Sequence, residues 1–150
     1  MAYWLLKSEP STFGIDDLAA KQIDGWEGVR NYQARNMMRD QMRRGDQAFL
    51  YHSNCAEPAI TGLMEIVREG YPDPTAHDPE SKYYDPKSSP AQPRWFQVDV
   101  RYLRHLSRPI TLRELRQHQA LDGLLLLRRG NRLSVTPVEP AHWDYILTLE

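Results

Sequence analysis

The 150-residue chain has a single cysteine, Cys55, and no apolar run longer than the six residues Met1 to Leu6. One cysteine forms no internal disulfide and suits a reducing compartment. Six apolar residues fall far short of the roughly 20 that a membrane-spanning helix needs. No charged residues precede that run and no small-residue cleavage site follows it, so it does not read as a secretion signal. A cytoplasmic setting, nuclear in a eukaryote, is expected. Glycine-rich phosphate loops of both common kinds are missing, which argues against nucleoside triphosphate or dinucleotide use. A Gly-x-Ser-x-Gly nucleophile turn is missing too. His52 and Cys55 have a spacing found in metal sites, but no second pair of ligands lies near them in sequence, so neither metal nor cofactor is expected.

What is present describes a folded domain. Hydrophobic residues make up 41% and charged residues 26%, and a chain of this length buries about 70% of its unfolded surface. A single domain over residues 1–150 is expected. Net charge is −1, yet Glu27 to Leu50 sums to +2 and Arg101 to Arg132 to +6. These segments are either solvated helix faces or one basic face for an acidic partner.

Patterning gives the elements. Tyr3 to Leu6 reads as a strand buried on both sides. Ile15 to Gln22 reads as a helix, with Asp16 and Asp17 in its first turn and Lys21 in its last. Ile23 to Val29, holding Gly25 and Gly28, reads as a loop. Asn31 to Met42 reads as a helix capped by Asn31, with Arg35, Arg39 and Arg43 on one stripe. Period-two alternation marks strands at Gln47–Tyr51, Ile60–Val67, Phe96–Tyr102 and Leu133–Val138. Thr111 to Ala120 opens with a capping box and reads as a helix, and Pro140 starts a last amphipathic one. Gly70 to Pro93 has no clear periodicity and reads as a functional insertion. The lack of a strict strand–helix–strand rhythm argues against a doubly wound sheet. An α+β fold, a small mixed β-barrel with short helices around it, is expected.

Aromatic and polar residues collect at the predicted strand ends and loops. Trp26, between two glycines, is either a core anchor or a stacking wall for a planar ligand. Lys7 and Ser8 end one strand, His52 and Ser53 another, and Arg132 and Ser134 start the last. Tyr83 lies in the insertion.

The segments Tyr3–Pro10, Trp26–Asn36, Tyr51–Ser53, Tyr71–Thr75, Ser81–Asp85 and Arg132–Val138 together resemble the EVE domain, over essentially the whole chain. The resemblance implies a PUA-like fold and a pocket for a modified base in DNA or RNA. It implies no established enzymatic activity. Carried over by motif, the pocket comprises Lys7, Ser8, Trp26, Val29, Arg30, Asn31, His52, Ser53 and Ser134, with Tyr83 and Arg132 as further members.

A base in a duplex must be flipped out, or already unpaired, to enter such a pocket. A buried methyl is worth only about 0.8 kcal/mol, so sharper selection needs polar groups that the wrong base edge leaves unpaired. Arg35, Arg39 and Arg43 would then hold phosphates. Two other readings compete. One is a small enzyme acting on a nucleotide or small acid, with His52 or Lys7 as base and Arg30 as anion clamp. The other is a module that meets an acidic protein through its basic face.

Overall fold

The computed structural model describes residues 1–150. Alternation along the first strand decides the layout. In β1 (Tyr3–Ser8), Trp4 and Leu6 enter one core and Leu5 the other, and all three are buried. The neighbouring β3 (Gln47–His52) runs parallel to β1 and repeats the split, with Ala48 and Leu50 on one face and Phe49 and Tyr51 on the opposite one. Successive side chains of a strand point to opposite faces, so a strand apolar on both must be covered on both.

The remaining strands are β2 (Ile23–Gly25), β4 (Ala59–Pro72), β5 (Phe96–Thr111) and β6 (Val135–Val138). They complete a mixed sheet of order β2-β5-β4-β3-β1-β6, in which only the β1–β3 pair is parallel. One face is covered by α1 (Ile15–Lys21) and α2 (Tyr32–Asp40), which bury Ile15, Leu18, Met37 and Met38. The other is covered by α3 (Leu112–Leu115), two 3-10 turns and α4 (Pro140–Leu147). There the Trp143 ring stacks against both Tyr3 and Phe49, with centroids 4.4 and 4.0 Å away. Each fully buried large apolar side chain contributes about 1.5–3 kcal/mol. No helix is long and apolar enough to cross a membrane.

The α+β class holds, but the two edges β2 and β6 do not pair with each other, so the sheet stays open where a closed barrel was expected. Four shifts of register between β4 and β5 bend the sheet instead. Those same irregularities, with the run of exposed charges at Arg101 to Arg108, break the alternation, which explains why both strands extend beyond their predicted ends. The segment read as a loop contains β2, a three-residue edge strand too short for periodicity to register. Asn31 does cap α2, accepting from the Ala34 amide at 3.0 Å, but the helix ends at Asp40. Arg43 therefore falls outside it, and the three-arginine stripe does not form. The helix expected to reach Ala120 stops after Leu115. Thr111 accepts from the Glu114 amide as a cap should, but the Glu114 carboxylate pairs with Arg108 rather than closing the capping box.

The start of β1 is fixed by Asp46, which is 3% exposed. Its carboxylate accepts from the Trp4 indole N–H at 3.0 Å and from the Ala2 and Arg43 amides at 3.0 and 2.9 Å. Removing it strands buried donors, each costing about 1–3 kcal/mol. Asp46→Ala is expected to lower unfolding free energy by about 3 kcal/mol in urea denaturation, with Asp46→Asn in between.

Candidate functional site

The parallel pairing of β1 and β3 brings their ends out at the same edge of the sheet, and β6, running the opposite way, starts there. Two backbone bonds extend this junction, Lys7 N–H to the Ser134 carbonyl at 2.8 Å and Ser53 N–H to the Ser8 carbonyl at 2.9 Å. On the β2 side, Trp26 N–H donates to the Val98 carbonyl at 2.8 Å and starts the segment Trp26–Arg30. Together these ends surround a cleft of about 700 Å³. Of the eleven residues expected at a pocket, nine line it: Lys7, Ser8, Trp26, Val29, Arg30, Ser53, Tyr83, Arg132 and Ser134.

Trp26 is 6% exposed and packs edge-on against Phe13, so it anchors the core and borders the cleft at once. Trp4 and Trp95 donate their indole N–H groups to carboxylates, whereas that of Trp26 has no partner in the protein. The Ser8 hydroxyl donates to the Phe13 carbonyl at 2.6 Å, which leaves its acceptor lone pairs open. The hydroxyls of Ser53 and Ser134 make no internal bond. The Lys7 ammonium has no internal partner either, and burial lowers its pKa.

The far wall is held by Asp73, which is fully buried. Its carboxylate accepts from the Gly28 amide at 2.9 Å, Arg30 Nη1 at 3.1 Å, the Thr75 amide at 2.9 Å and the Thr75 hydroxyl at 2.6 Å. Burial pushes its pKa up, but the hydrogen bonds from Gly28, Thr75 and Arg30 outweigh burial and hold it below the usual carboxylate range. Arg30 donates five hydrogen bonds, to the Val29 and Tyr83 carbonyls, Asp73 and Thr75. That exhausts its N–H groups. It borders the cleft as a strut and has none left to clamp an anion. Gly28 has φ +85°, and the Tyr83 ring lies where a side chain there would begin, 2.5 Å from an added Cβ. The insertion is thus an ordered wall, fastened through Asp73, Arg30 and Gly28. Sequence reading missed Asp73, although its place before Pro74 and Thr75 has the form of a helix cap.

Two expected members are not brought to the cleft. Asn31 is occupied as the cap of α2. His52 turns away to accept from the Ile15 amide at 3.1 Å, serving the start of α1, which Gly14 cannot cap with a side chain. With Nε2 accepting and Arg30 fully bonded, neither is available for the roles of base and anion clamp. His52 and Cys55 belong to no group of three or more metal-binding side chains. Among the arginines expected on phosphates, Arg35 bonds the Arg94 carbonyl and lies over Tyr32, itself stacked on Trp95. Arg39 is held by Asp40 and Phe96, and only Arg43 has a guanidinium without an internal bond. Of the basic run 101–132, Arg101, Arg104 and Arg108 pair with Glu65, Glu150 and Glu114.

The EVE domain model matches residues 2–149. The chain belongs to the EVE domain family. Human thymocyte nuclear protein 1 is 45% identical to it over 168 residues, which cover 99% of this chain and 74% of the human protein. A Pseudomonas putida protein of known structure superposes with a TM-score of 0.95 at 47% identity, over 99% of both chains. The human THYN1 protein, solved in complex with DNA containing 5-methylcytosine, superposes at 0.91 and 43% identity, over 99% of this chain and 97% of that one. The EVE domain has a PUA-like fold.

Two stability predictions arise from this EVE domain. Burial lowers the His52 pKa against the pull of Asp16 and Asp17. The unfolded chain binds that proton near pH 6.5, so the stability contributed by neutral His52 is complete above that value and lost as pH falls below it. His52→Gln keeps an acceptor without titrating, and its unfolding free energy should fall less than that of the native protein between about pH 7.5 and 5. Gly28→Ala combines a left-handed backbone with the clash against Tyr83 and should cost about 2 kcal/mol or more in urea denaturation.

Proposed function

We propose that this chain binds nucleic acid carrying a modified base, taking the base into the cleft beside Trp26 without chemistry on it. The observation that carries the reading is convergence: nine residues from five separate stretches of sequence meet around one cleft whose size suits a flat heterocycle. The human relative solved with 5-methylcytosine-containing DNA supports DNA as the partner. The exposed edge of the Trp26 indole would border the base, and Ser8, Ser53, Ser134 and the Trp26 N–H offer hydrogen bonds to its polar edge. The PUA-like unit acts as one domain over residues 1–150, since both cores are built on the same sheet.

For the phosphates we assign the cations without internal acid partners at the rim, Lys7, Lys82 and Arg132. Arg43, the one of the three arginines on and after α2 whose guanidinium has no internal bond, lies beside Asp46 at the opposite end of β1 and would reach only phosphates farther along the strand. Affinity then falls with salt, and each lost phosphate contact reduces the slope of log K against log salt by about 0.7–0.9.

The test is fluorescence titration with single-stranded oligonucleotides carrying one 5-methylcytosine. Trp26→Ala removes the indole edge and its N–H donor, a contact worth about 1 kcal/mol, a loss of about fivefold in affinity. Circular dichroism checks that it folds. Ser53→Tyr fills the cleft while sparing the core and should weaken binding at least as much. Native affinity in both variants would show that the base does not enter this cleft.

A further inference from the structure

Selection among base edges requires a polar group that the protein leaves unpaired and holds in place. Glu27 is left unpaired, and the backbone that carries it is held while its side chain stands exposed at the cleft. It lines the cleft between Trp26 and Gly28. Its carboxylate has no hydrogen bond or ion pair within the protein, whereas the nearby Asp24 is bonded to Lys21 at 3.3 Å and to the Gly25 amide at 2.9 Å. The backbone around it is pinned residue by residue. Trp26 N–H donates to the Val98 carbonyl, Glu27 N–H to the Gly25 carbonyl at 3.1 Å, and Gly28 N–H to buried Asp73 at 2.9 Å. Burial, and the negative charges of Asp73 and Asp24, raise the Glu27 pKa against the weaker pull of Lys21 and Lys82. A carboxylate so placed gains from any N–H donor brought to it.

Resting on the base-binding reading, we propose that Glu27 is the specificity-determining residue of the cleft. It accepts the exocyclic 4-amino group of a cytosine-type base held beside Trp26, and so selects amino-pyrimidines over their 4-oxo counterparts. A carboxylate pairs with the N4 amino group of cytosine, whereas thymine presents the O4 acceptor at that position. 5-Methylcytosine and thymine carry the same ring methyl, so apolar contact does not separate them. The polar edge must.

The experiment compares oligonucleotides identical except at one central position, which is 5-methylcytosine, thymine or abasic. They are single-stranded, so that duplex stability does not enter. The native protein should bind the 5-methylcytosine strand about fivefold or more tightly than the thymine strand. Glu27→Ala, and Glu27→Gln, whose amide presents either a donor or an acceptor, should bring that ratio close to one. Both variants should still favour either base over the abasic strand. A native protein that binds both bases equally, or variants that keep the native ratio, would overturn the role of Glu27 while leaving base binding in place. A native protein that binds the abasic strand as tightly as the others would overturn the base-binding reading, and this inference with it.

Discussion

Asp73 has no contact with solvent and receives four hydrogen bonds from the Gly28 amide, Arg30 and Thr75. Through these it joins two stretches that lie some forty-five positions apart in the chain, the Trp26–Arg30 segment and the insertion that follows β4. An ionised carboxylate without water is tolerated only when hydrogen bonds replace its hydration. Here they do so with enough surplus to hold its pKa down. Arg30 then carries the arrangement outward, fixing the Tyr83 carbonyl and lying over both the Tyr83 and Trp95 rings. Removing this carboxylate would leave the guanidinium, the Gly28 amide and the Tyr83 wall without a common support.

The sheet performs the complementary task on the near side. A parallel pair flanked by an antiparallel neighbour is an economical way to bring three strand termini to one edge. Lys7, Ser8, Ser53 and Ser134 owe their proximity to that topology rather than to any local motif. The cores on both faces give the edge its rigidity, since Trp4 and Leu6 lock one side of β1 and Leu5 the other. The cleft therefore combines a near side set by apolar packing with a far side set by buried polar bonds.

Much of this could be read before any coordinates, and what could not has identifiable causes. The double-sided burial of β1, the Asn31 cap and the apolar face of α4 are local in origin, and each is present. The EVE-like motifs named nine residues that do meet, because strand ends and loops carry side chains chosen for what they face. Side-chain direction was not legible. His52 sits at a strand end beside Ser53, yet its ring serves an amide of α1, a partner 37 residues away. Arg30 resembles an anion-binding residue until its five bonds are counted, and all of them but the one to Val29 are long-range. The arginine stripe failed for a different reason: α2 ends three residues too soon for Arg43, and aromatic rings occupy its neighbours.

The outermost strands of the open sheet are short, three residues in β2 and four in β6, the latter interrupted by the exposed Pro137. Unpaired strand borders invite another polypeptide to zip on through main-chain bonds, and shortness and proline are the usual deterrents. Strand addition onto these two strands is thereby discouraged without the sheet having to close on itself, which leaves the junction of strand termini unobstructed.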